Sequence, residues 1–328
     1  MNEKIHIKEI DDSSAVESFK FSDPDITAAG EQRASVDPRQ LETLWINTGS
    51  LCNLTCENCY IESSPTNDRL VYISLQEVID LLDEIESEKL GTREIAFTGG
   101  EPFLNTDMVP ILQACLSRGF DVLVLTNGMK TLLREKDSLE AMHQTYGARL
   151  KLRISLDHYE AATHALERGP RSWEPAIKSL QWLSEAGMAF AVAGRTMWNE
   201  GEDSMRAGYG EMFTREGIKL DATDPEQLIL FPEMDESADV PEITTACWGI
   251  LNKNPADIMC ASSRMVVKHK GDEHLSIQAC TLLPYDQRFN LGKTLKESWR
   301  SVKLNHPHCA KFCVLGGGSC SAKTKLQK

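Results

Sequence analysis

The residues best suited to chemistry stand together. Leu51 to Tyr60 hold three cysteines, Cys52, Cys56 and Cys59, spaced C-x3-C-x2-C. Thiols this close form a claw for a soft metal centre, and no fourth cysteine stands near them. A cubane [4Fe–4S] cluster normally takes four thiolates, so a claw of three leaves one iron open to a small molecule. Zinc is the competing reading, but it prefers four ligands, often with histidine, and His6 and His143 are far along the chain. The ferredoxin run C-x2-C-x2-C-x3-C-P is not what is written here. The spacing favours an iron–sulfur cluster over zinc or structural thiols.

Further on, Phe97-Thr98-Gly99-Gly100-Glu101-Pro102 sets a glycine pair after an apolar strand. The two motifs together resemble the radical S-adenosylmethionine (SAM) superfamily, which uses the open iron to bind and reductively cleave SAM. The resemblance implies that Gly99, Gly100 and Glu101 hold the methionine part of SAM. Glu101 would accept from its amino group in a charge-assisted hydrogen bond. Ser155 and Asp157 stand where the family contacts the ribose or carboxylate. Arg195 is placed to pair with the SAM carboxylate as a planar fork. Ser155 and Arg195 are equally suited to cap or surface duty, since strand ends serve both. Thr126 and Asn127 are further candidates, although Asn127 precedes Gly128 and is also suited to shape a turn. One position departs from the family. The residue before the third cluster cysteine is commonly aromatic or His and lies near the adenine, whereas here it is Asn58 and the aromatic Tyr60 follows the cysteine.

These side chains need a frame. Leu44 to Asn47 reads as a short strand feeding the cysteine loop. Ser74 opens a helix, with Glu77 completing a capping box, and Leu75, Val78, Ile79, Leu82 and Ile85 share one face. Glu94–Phe97 is a second strand. A helix follows through Ile111, Leu112, Cys115 and Leu116, with Pro110 in its first turn and Gly119 as its stop. Strands over 121–125 and 150–154 come next. Ser172, Glu174 and Pro175 open a helix that Gly187 ends. Strands over 189–193 and 227–231 complete the series. Strands alternating with helices imply parallel pairing and right-handed crossovers. Six such units match the α/β partial (β/α)6, TIM-like barrel of the family that the chain resembles. Barrels of this kind place ligands at the C-terminal ends of their strands, where all the residues above fall.

The expected organisation is a partly ordered leader over 1–41, the barrel core over 42–235 and a small cluster-binding extension over 236–328. That last part holds Cys247, Cys260, Cys280, Cys309, Cys313 and Cys320. Its segment Asn290-Leu291-Gly292 to Trp299 resembles the stretch in radical SAM enzymes with a SPASM or twitch extension, which bind auxiliary Fe–S clusters. A full SPASM cysteine array is missing, so the resemblance implies one second [4Fe–4S] cluster. Its preferred ligands are Cys260, Cys280, Cys309 and Cys313, with Cys320 or Cys247 able to replace one. A zinc site on the same thiolates is the alternative. Cys115, on an apolar helix face, reads as a small buried hydrophobe.

Charge and composition narrow the function. The net charge of −14 argues against a nucleic-acid substrate. From residue 290 onward, eight Lys/Arg face Glu297 alone, either a solvated tail or a contact for an anionic partner. The N-terminus lacks signal-peptide character and no apolar run would span a bilayer, so the expected location is the cytoplasm. The resemblance implies an enzyme that cleaves SAM to a 5′-deoxyadenosyl radical, which takes a hydrogen atom from a peptide or small-molecule substrate. A flavodoxin or ferredoxin-type reductant would supply the electron. A non-enzymatic Fe–S carrier or redox sensor is the alternative, but a carrier has no need of the glycine pair or Glu101.

Overall fold

The computed structural model describes residues 20–232 and 238–318. The core strands are β2 (Thr43–Asn47), β3 (Glu94–Thr98), β4 (Asp121–Thr126), β5 (Leu150–Ser155), β6 (Ala189–Arg195) and β7 (Leu228–Phe231). They follow one another across an open sheet, each parallel to the next. The helices between them are α1 (Leu75–Ser87), α2 (Met108–Ser117), α3 (Lys130–Arg134), α4 (Lys136–Tyr146), α5 (Ala161–Arg168), α6 (Trp173–Glu185) and α7 (Glu202–Glu216). The six-unit α/β partial barrel expected from the alternation is present.

Local sequence explains the frame. Ser74 accepts from the Glu77 amide while the Glu77 carboxylate accepts from the Ser74 amide, the reciprocal capping box at the start of α1. At the end of α6, Gly187 takes φ +65°, a left-handed turn that glycine reaches without strain. Alternation along each strand separates two faces. Leu44, Ile46, Ile95, Phe97, Val122, Val124, Leu152 and Ile154 face the helices, in one apolar core that also holds Cys115. Trp45, Ala96 and Leu123 face the other way, into a second core built largely from the C-terminal segment.

That segment is more deeply joined to the sheet than an appended extension. β8 (Ser263–Val267) pairs parallel with β2, and β9 (Ser276–Gln278) pairs antiparallel with β8, so the sheet has eight strands. β1 (Ser35–Val36) pairs with β10 (Val302–Lys303). Just before β1, Arg33 lies buried, 2.5 Å from Glu242. Glu242 also accepts from the backbone of Phe21 and Ala28, which laces residues 20–36 to the C-terminal segment. Several of the late basic residues meet acidic partners within the chain, Lys296 with Glu88 and Lys303 with Asp25. Among the described residues, no helix is long and apolar enough to cross a membrane.

Candidate active site at the strand ends

The ends of β2 to β7 surround one cavity. Cys52, Cys56, Cys59 and Tyr60 line it from the loop after β2, with Gly99 and Gly100 from β3. Thr126 and Asn127 come from β4, Ser155 and Asp157 from β5, and Arg195 from β6. Leu282 and Phe312 from the C-terminal segment close one side, with Phe312 stacked on Phe231 at 5.9 Å between ring centres. The structure thus gathers every barrel residue singled out in the sequence except Glu101, which stands behind the wall.

The chemistry of the claw suits a cationic metal centre. Burial pushes the Cys52 thiol up to about 12 and also raises that of Cys56, so bare thiolates are costly here without a positive charge beside them. Backbone donors already point at sulfur: Leu54 N lies 3.4 Å from Cys52 Sγ, and Ser63 N lies 3.4 Å from Cys59 Sγ. The Asn127 amide stands 3.7 Å from Cys52 Sγ. Ser63 Oγ is buried in the cavity wall with no hydrogen-bond partner among the described residues, as a contact to a bound group would leave it. The residues fit a thiolate-held cluster.

The glycine pair has a second reason to be glycine. A Cβ on Gly100 would sit 2.0 Å from the Leu51 carbonyl oxygen, and one on Gly99 2.6 Å from that of Gly49. The two backbones are also bonded, Gly100 N to Gly49 O at 2.7 Å and Glu101 N to Leu51 O at 3.0 Å. The close approach expected toward a ligand is first an approach to the cysteine loop.

Glu101 is fully engaged with protein. Its carboxylate accepts from Thr126 Oγ1 at 2.8 Å, Asn127 N at 2.9 Å and Phe103 N at 3.2 Å. Burial pushes its pKa up to about 7, against the pull of those donors. It ties the end of β3 to the end of β4. Asn127 does shape a turn, accepting from Met129 N, and its amide also reaches Asn53 at 2.8 Å.

Arg195 and Asp157 likewise have protein partners. Arg195 donates to Glu167 at 2.7 Å and to the Asn58 carbonyl at 2.8 Å. Asp157 pairs with Arg168 at 2.5 Å. Burial works against the Arg168 charge, but Asp157 and the Cys56 and Cys59 sulfurs outweigh it and raise its pKa. Glu167 and Arg168 both line the cavity and were missed in the sequence. The one available signal was a βα unit left without a helix between Asp157 and Ser172.

The described C-terminal cysteines all belong to the second core, as Cys260 and Cys309 do, or pack against it, as Cys247, Cys280 and Cys313 do. Burial pushes Cys260 up to about 11 and Cys309 up to about 12. Cys320 lies outside the described residues. Among the described residues, no three His, Cys, Asp or Glu side chains converge as a single ion requires. Thiolates that each take a different iron of a cubane need no such convergence.

Residues 46–204 match the family described as the radical SAM superfamily. That match takes in just under half of the chain, so this part of the chain is similar to radical SAM proteins. It is 29% identical over 277 residues to the antilisterial bacteriocin subtilosin biosynthesis protein AlbA of Bacillus subtilis (strain 168), covering 78% of this chain and 58% of AlbA. It is 28% identical over 140 residues to the mycofactocin maturase MftC of Mycolicibacterium smegmatis, covering 43% of this chain and 33% of MftC. The chain therefore spans little more than half the length of the one and a third of the other. Among solved structures it resembles anSMEcpe with bound AdoMet, at a TM-score of 0.57 and 14% identity over 82% of each chain. It also resembles Streptococcus suis SuiB bound to the precursor peptide SuiA, at 0.56 and 13% over 92% of this chain and 73% of SuiB. These two likenesses show the fold alone, the α/β partial barrel.

Proposed function

We propose that this radical SAM protein cleaves SAM and uses the resulting radical to modify a peptide. The observation that carries the reading is the meeting of Cys52, Cys56 and Cys59 with Gly99 and Gly100 in one cavity at the strand ends. When bound, a [4Fe–4S] cluster with one open iron supplies the one-electron cleavage of SAM that yields methionine and a 5′-deoxyadenosyl radical. The chain's own work is orientation and exclusion of water. Gly99 and Gly100 keep the backbone low at the methionine end. Glu101 holds that wall in place from behind through its bonds to Thr126 and Asn127, so it acts on SAM through the wall it braces. Ser155, Asp157 and Tyr60 remain the candidates for direct contact with the rest of SAM, and Ser63 joins them through its hydroxyl, which has no hydrogen-bond partner among the described residues.

The peptide substrate is supported by AlbA, whose name places it in the making of a bacteriocin. A second [4Fe–4S] cluster on Cys260, Cys280, Cys309 and Cys313 belongs to the same reading, with Cys247 or Cys320 as a replacement ligand. Its support is proximity: Leu282 and Phe312, each within two residues of such a cysteine, line the SAM cavity. The Tyr285 hydroxyl also donates to the Ile61 carbonyl at 2.9 Å, bonding this segment to the claw loop. A cluster there would take an electron from the substrate radical, which suits net oxidation. A flavodoxin or ferredoxin-type protein in the cytoplasm would supply the first electron.

Deuterated peptide tests the reading. Precursor peptides encoded beside the gene, deuterated at carbon, should pass deuterium to 5′-deoxyadenosine in the presence of reductant and SAM. Deuterium transfer only from small molecules would overturn the peptide assignment.

A further inference from the structure

We propose that Glu167 sets the shape of the cysteine loop before any iron arrives, acting as a positioning residue through Asn58. The inference rests on Cys52, Cys56 and Cys59 as the ligand set. Glu167 is the last residue but one of α5, and its side chain is only 4% exposed. One carboxylate oxygen accepts from Asn58 N at 2.9 Å and from Arg195 at 2.7 Å. The other accepts from the Asn58 side-chain amide at 2.8 Å. The Glu167 carbonyl accepts from Glu57 N at 3.0 Å, and Arg195 donates to the Asn58 carbonyl at 2.8 Å. The N–H, the carbonyl and the side-chain amide of Asn58 are therefore all held.

Asn58 lies between Cys56 and Cys59, in a loop with no helix or strand of its own. Fixing such a backbone costs conformational entropy, and here folding has already met that cost. Charge-assisted bonds of this kind are the strong ones among hydrogen bonds. The grip also accounts for the departure at residue 58. An aromatic side chain there would leave one oxygen of the buried Glu167 without its donor, whereas a short amide beside its own N–H offers two donors to one carboxylate. Arg168, the next residue, turns its charge the other way, toward Asp157 and the Cys56 and Cys59 sulfurs. The end of α5 thus grips the loop with its anion and faces the thiols with its cation.

Hydrogen exchange on the full-length, iron-free chain reads this directly. Glu167→Ala should speed exchange over residues 53–60 by about tenfold, the scale of one lost charge-assisted hydrogen bond. Exchange in α1 and α6 should not change, and Glu167→Gln, which keeps an acceptor for Asn58 N, should fall between. On reconstituted protein, with Cys260 and Cys280 also replaced so that only the claw carries iron, a chelator should bleach the cluster absorbance about tenfold faster in Glu167→Ala, by the same bond scale. Unchanged exchange over 53–60, or an equal rise everywhere, would overturn the proposal. If Glu167→Ala does not fold, Asn58→Ala should give a smaller rise confined to the same residues, and no rise would overturn it. Wild-type protein that shows this Glu167-dependent protection yet takes up no iron would leave the brace standing and refute the ligand assignment.

Discussion

Replacing Glu101 by Gln should remove a loss of stability that the wild type suffers as pH rises. Glu101 is 1% exposed, and burial lifts its pKa from 4.5 to about 7. Hydrogen bonds from Asn127, Thr126 and Phe103 oppose that rise and keep it from being larger. An acid whose pKa is raised by folding binds its proton more tightly in the native chain. Stability therefore falls between pH 4.5 and about pH 7 and levels off above that. At about 1.36 kcal/mol per unit, the loss amounts to about 3 kcal/mol, an order-of-magnitude figure. Gln carries no charge, so this component vanishes. Its NH2 group, however, would meet the Asn127 N–H donor to donor, costing about 1–3 kcal/mol at every pH. Urea unfolding of the iron-free protein at pH 5 and pH 8 decides the matter. Wild type should lead the variant at pH 5, and the gap should shrink by about 3 kcal/mol by pH 8. Parallel pH profiles for the two proteins would mean that Glu101 does not carry this pH dependence.

Gly100→Ala should destabilise the fold by about 1–3 kcal/mol and lower iron uptake, because backbone at Leu51 cannot yield to the new methyl; denaturation and iron assay on the same preparation check both. Arg33→Ala removes the cation from half-buried Glu242, which keeps its backbone donors Phe21 and Ala28, and should cost about 1.5–3 kcal/mol in urea unfolding; a loss near zero would mean that residues 20–36 do not anchor the C-terminal segment. Replacing Cys260 and Cys280 together should remove about half of about eight irons, counting four per cubane, and leave SAM cleavage with dithionite intact. Zinc in place of that iron would make the segment a structural cap.

Much of this was legible because it is local. The capping box of Ser74 and Glu77, the alternating strands and the glycine stops act within a few residues, so the six-unit frame and the claw at its strand ends follow from spacing. What escaped depends on partners far apart in the chain. α5 reads Ala-Ala-Thr-His-Ala-Leu-Glu-Arg, with no apolar stripe to mark it, yet its last two residues engage Asn58 and Asp157. The same limit applies to Arg195 and Glu101, whose charge types suggested a ligand while the fold also gave them protein partners. The joining of β8 to β2 was hidden because a short buried strand carries no sign of which edge it will meet.

Cys52, Cys56 and Cys59 are proposed to hold the iron that cleaves SAM. Anaerobic protein reconstituted with iron and sulfide, then given dithionite and SAM, should release 5′-deoxyadenosine. The same protein with all three cysteines replaced by Ala should release none while keeping the iron of the C-terminal segment. Release of 5′-deoxyadenosine by the triple variant would contradict the claim.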